Sequence, residues 1–191
     1  LRTRTPPPQT APQLSALARF VVHLLGDHLG RFDDAHWRLE ALRSHPLSDA
    51  SVQSELRVGE ATLHLGQGDD DAVDGLSATE AVRAESGAAT LCLGRGQLER
   101  ALHFVDSAAG RIAAMPDAQP QDHRPCAVAC NNMAWELQAL GNQRSPAQTQ
   151  AMLRIAAASR EHWSRAGTWL HIERAEYCLA LTHLSAGLFD D

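Results

Sequence analysis

The chain has no lysine; all 17 basic residues are arginine, against 23 acids, for a net charge of −6. That balance, with no basic stripe interleaved with aromatics, excludes direct nucleic-acid binding through bulk charge. The arginine usage reads as the mark of a GC-rich genome rather than of a function. Tyrosine occurs once, at Tyr177, and isoleucine only as Ile112, Ile155 and Ile172. Scarce β-branched and aromatic residues, beside abundant Ala, Leu, Arg, Glu and Gln, argue against sheet and for helix. The four cysteines, Cys92, Cys126, Cys130 and Cys178, form no Cys-x-x-Cys pair. They read as small core residues of a reducing compartment, and the expected location is cytoplasmic. No run of about 18 apolar residues exists, so no membrane span is expected. Nor does the N-terminal LRTRTPPPQTAPQ contain the apolar core of a secretory signal. Nucleophile elbows, phosphate-cradling glycine loops and His-Glu-x-x-His motifs are absent, so no enzyme and no cofactor are expected.

What is present is helical periodicity, repeated. Residues 1–13 are rich in Pro and Thr and read as a linker or tail, followed by a helical domain over 14–191. Apolar residues recur at helical spacing from Gln13 to Gly26, and Gly30 closes that helix. Asp33 and Asp34 suit the first turn of a second helix, which stops near Pro46. The turn in LGRFDDA (29–35) returns as RGQLERA (95–101) and as AGLFDD (186–191). Gly30 and Gly96 stand 66 residues apart, as do Ala35 and Ala101, or two periods of 33. Between them the spacing predicts a helix over 52–65, a turn at GQGDDDA and a second helix over 72–84. A helix end is expected over 88–93, with a partner helix over 99–113. A Pro- and Gln-rich loop follows at 115–125, separating two sub-blocks. Helices are then expected over 126–140, 148–163 and 170–186. The count comes to about ten helices in antiparallel pairs, with no strand. Units of this kind stack because no hairpin covers its own apolar face. Ala35, Ala101 and Ala151 are expected where the two helices of a hairpin cross closely.

This pattern resembles the tetratricopeptide repeat family. The matching positions are Gly30, Phe32, Ala35, Leu39 and Pro46 in the first unit. Ala89, Gly96, Leu98, Ala101 and Ala108 follow in the third. The fourth has NNMAWEL (131–137), Ala151 and Ala158; the fifth has Leu179, Ala180, Gly187 and Phe189. His23 departs from the family's small residue, the second unit is out of phase, and 142–147 is an insertion. The resemblance implies an all-α, right-handed superhelical solenoid of about five helix pairs, the last incomplete. The family's pattern calls for an alanine and a further helix after GLFDD, so the chain reads as part of a longer one.

In that family, first helices line a concave groove. The register places Asn131, Asn132, Trp135 and Ala139 there in the fourth unit, and Arg174, Tyr177, Cys178 and Leu181 in the fifth. Asn amides can hold a peptide backbone, and Trp, Tyr and Arg anchor interfaces. The competing expectation for these residues is packing between adjacent hairpins. Val128 stands where a carboxylate-clamping lysine would be wanted, which disfavours a C-terminal peptide ligand. Two metal patterns are weak. His123, Cys126 and Cys130 could share zinc only with a distant ligand such as His162 or His171. GDDDAVDG (68–75) fits neither calcium-loop register, and its acids read as a helix N-terminal cap. No metal is expected.

The expected function is a non-catalytic scaffold whose concave groove binds a protein or peptide. The alternative is the sensory or regulatory portion of a larger bacterial signalling or transcription-regulating protein. An exposed repeat end would also allow a homo-dimer.

Overall fold

The computed structural model describes residues 7–188. Among them are eight α-helices, three short irregular helical turns and no strand. The chain divides into two compact units, 1–76 and 77–191. The turn residue Phe189 and the two acids after it lie outside the described residues.

The first unit contains α1 (Ala11–Val21), α2 (Phe32–Arg43) and α3 (Ala50–Gln67). Thr10 caps α1 by accepting from the Gln13 N–H, so the helix reaches back into the expected linker. Beyond Val21 the helix continues toward Gly30, the residue expected to close it. It widens into a π-turn over Val22–His28, and Gly30 then takes the left-handed conformation at φ 62°. Asp33 and Asp34 occupy the first turn of α2 as the charge pattern predicts. α3 lies against both α1 and α2. Its Gly59 allows this close approach: a Cβ there would stand 3.0 Å from Val22 and 3.4 Å from Leu39. Arg43 clamps α2 to α3, donating to both carboxylate oxygens of Glu60 and to Gln53.

After α3 the structure departs from the expected pairing. Asp70–Val73 is a single 3-10 turn, not the start of a helix. The N-cap of the next helix is Ser77, in a reciprocal capping box with Glu80. That helix, α4 (Ala78–Gly94), runs unbroken through Ser86 and Gly87. The stretch read as the end of one helix and the start of another is therefore one element, and the further helix expected after Gly187 runs into residues outside those described. Gly87 alone weakens a helix by only about 1 kcal/mol, and the buried residues on either side outweigh it.

The second unit continues with α5 (Leu98–Ala114), α6 (Pro120–Ala139), α7 (Pro146–Ala166) and α8 (Trp169–Ser185). The expected loop at 115–125 shrinks to five residues, because Gln119 and Asp122 form a capping box and Pro120 takes the first helical position, where no N–H is needed. α4 packs against α5 and α6; α6 packs against α7 and α8; α7 packs against α8. Gly96 turns the α4–α5 connection at φ 74°, the left-handed geometry already seen at Gly30. Ala35, Ala101 and Ala151 are all buried. Across α4 and α5 the buried Glu85 carboxylate accepts from Ser107 and Arg111. One cluster unites Val82, Ala108, Ile112 and Cys126. A second sets Trp163 of α7 against Ala127 of α6 and Ala175 of α8.

Candidate functional site

The face expected to bind a partner is built on α6 and α8. Small residues let the two helices settle over α7: Ala127 and Ala175 are buried against Trp163, and the Ser159 hydroxyl of α7 donates to the Ala127 carbonyl at 3.1 Å. Arg144 ties their C-terminal ends together, donating to the Leu137 carbonyl of α6 at 3.1 Å and to the Ser185 carbonyl of α8 at 2.9 Å. With these sides buried, the opposite sides of both helices face solvent.

On α6 the exposed stripe is Val128, Asn132 and Trp135, spaced four and three apart. On α8 it is Leu170, Arg174, Tyr177 and Leu181, of which Leu181 is half-buried. Trp135 is 39% exposed and Tyr177 59%, large values for amphipathic rings. Asn131 is half-buried and Ala139 exposed. Cys178, expected on the same face, is instead fully buried, and so is Trp163, which stacks on His171 at 4.6 Å. Among the described residues the side chains of Asn131, Asn132, Arg174 and Tyr177 make no hydrogen bond. Nearby Arg160, by contrast, is committed to Glu176 at 2.7 Å.

The metal pattern drawn around His123 does not assemble. Helix α6 does bring His123 to His162 of α7, Nδ1 to Nδ1 at 3.0 Å and both buried. Cys126 points elsewhere, with its sulfur 3.4 Å from the Ser86 hydroxyl. His171 is occupied at the start of α8, accepting from the Thr168 N–H. Burial pushes both members of the His123–His162 pair below the ordinary imidazole value. Arg165 adds to this for His123, and the neighbouring ring for His162. All four cysteines are buried, free thiols, and burial pushes Cys130 up to about 12. Burial raises Cys126 and Cys178 in the same direction.

One constellation has no counterpart in the sequence reading. His23, Asp27 and His28 converge on the π-turn of the first unit, and no other group of three or more ligating side chains does so among the described residues. The signal is hard to find in the sequence because His23 and Asp27, four apart, share a face of any α-helix, while His28, five from His23, joins them only where the helix widens.

Compared with protein-family models, with curated proteins and with solved structures, the chain matches none. No helix among the described residues is long and apolar enough to cross a membrane.

Proposed function

We propose that this protein is a non-catalytic binding module, a tetratricopeptide-like stack of helical hairpins that holds a protein or peptide segment on the α6–α8 face. The stacking reading is supported within the second unit, where α6 packs on α4 and α8 on α6. Left-handed glycines at the turns and buried alanines where paired helices meet add to it. The merged α4 makes the array shorter than the five pairs expected.

The observation that carries the binding reading is the exposure, without internal hydrogen bonds, of Asn132 on α6 and of Arg174 and Tyr177 on α8, with an exposed Trp135 one turn on from Asn132. A solvated face has no need of a tryptophan on one helix and a tyrosine on the next but one, and these types recur at the centres of interfaces. The segment that fits places apolar side chains on Trp135 and Tyr177 and a carboxylate against Arg174, with its backbone within reach of the Asn132 amide. Asn132→Ala and Arg174→Ala are expected to weaken a captured partner at least about tenfold each, the scale of an interface anchor. Unchanged affinity in both variants would overturn the assignment.

A further inference from the structure

The π-turn at Val22–His28 sets up a metal chelate. In an α-helix a residue five positions on lies roughly 140° around the axis, so His23 and His28 would diverge. The wider turn cancels that rotation. The His23 and His28 Nε2 atoms come to 3.0 Å, with ring centroids 4.3 Å apart and planes at 73°. Two imidazole nitrogens bound to one zinc-class ion at 2.0–2.1 Å in tetrahedral geometry are about 3.3 Å apart, so a small outward rotation of either ring admits the ion.

Asp27 fixes the tautomer. Its carboxylate lies 3.2 Å from His23 Nδ1 and takes that nitrogen's proton as a hydrogen bond, which leaves the Nε2 lone pair aimed at His28. Without an ion the close contact is satisfied by the His28 Nε2–H donating to His23; with one, His28 takes the tautomer that carries its proton on Nδ1, and both Nε2 lone pairs face the metal. The rings are exposed while Asp27 is mostly covered, an arrangement of accessible ligands and a held orienting group. Arg19, one turn before His23, is engaged by Glu55 at 2.9 Å. π-Turns are rare and concentrate at functional sites.

We propose that His23 and His28 chelate one divalent ion of the zinc class through their Nε2 atoms, with Asp27 as the positioning carboxylate. The remaining coordination positions stay open to water or to a donor from a bound partner.

The test is calorimetric titration of the untagged full chain with zinc chloride at pH 7.5. Long-range nitrogen–proton spectra of the imidazoles accompany it. The expected result is one ion per chain, with the His23 and His28 Nε2 resonances moving together. That uptake is lost in His23→Ala and His28→Ala, weakened about 10–100-fold in Asp27→Asn, and kept in His36→Ala, which removes a different surface imidazole. Uptake in His28→Ala equal to that of the wild type would overturn the proposal. So would zinc leaving the two Nε2 resonances unmoved. Circular dichroism separates loss of a ligand from loss of fold, and the wild-type spectra decide the matter without any variant.

Discussion

Replacing Ala101 with leucine probes how closely α5 approaches its partner helix. Ala101 is fully buried in the first turn of α5, on the face that continues through Phe104, Val105 and Ala108. An isobutyl group has no space there that solvent now fills. It must displace α4 or take a strained rotamer, at about 2 kcal/mol within the usual range for overpacking. For a unit of this size that lowers the melting temperature by about 5–10 °C. Thermal unfolding of the full chain, followed by calorimetry, gives the number. Ala180→Leu is the control: Ala180 is exposed on α8, and the change there is expected to stay within about 0.5 kcal/mol. If Ala101→Leu melts with the wild type, the helices are not in close contact at that alanine. The physical reason offered for the recurring Gly-x-x-x-x-Ala turn then fails.

Two further outcomes follow from buried groups. His123 and His162 are held below the ordinary value of 6.5, so the unfolded chain binds protons that the folded one refuses. Their cost to stability is absent above pH 6.5 and grows as pH falls below it toward the lowered folded values, moderated by Asp122 and Glu161 and reinforced by Arg165. Urea melts are expected to show this loss between pH 6.5 and 5 in the wild type and a flatter profile in His123→Gln/His162→Gln; equal slopes would contradict it. The four cysteines are buried, so a colourless-to-yellow disulfide reagent is expected to find almost no thiol in the folded protein and all four in urea. Rapid labelling without denaturant would show that the helices open far more readily than their packing implies.

The sequence was most legible where periodicity and punctuation agree. Gly30, Gly96 and Gly187 mark turns in both sequence and structure, with φ of 62°, 74° and 77°. The boundaries of α7 and α8 fall within a few residues of the expected ones. It misled where one helix was split or started late. Residues 85–87, left between two expected helices, sit inside α4 because buried neighbours on both sides hold it, and Pro125, placed in a loop, sits inside α6 because the capping at Gln119 starts that helix upstream of it. The acids of 69–71 suggested a cap, while the cap that forms is Ser77 with Glu80. Of the residues that the family's register turns toward a groove, Asn132, Trp135, Arg174 and Tyr177 are exposed, while Cys178 is buried. The His23–Asp27–His28 cluster could not be read because an α-helical wheel turns His28 away from the His23–Asp27 pair.

The most direct test of the proposed binding face is photo-crosslinking in the native cell. A benzoyl-phenylalanine probe would be placed at Trp135, at Tyr177 or at Ala157, which is exposed on α7. The prediction is one shared protein adduct from positions 135 and 177 that is absent from 157. The same adducts from all three positions, or none from the first two, would contradict a partner held on the α6–α8 face.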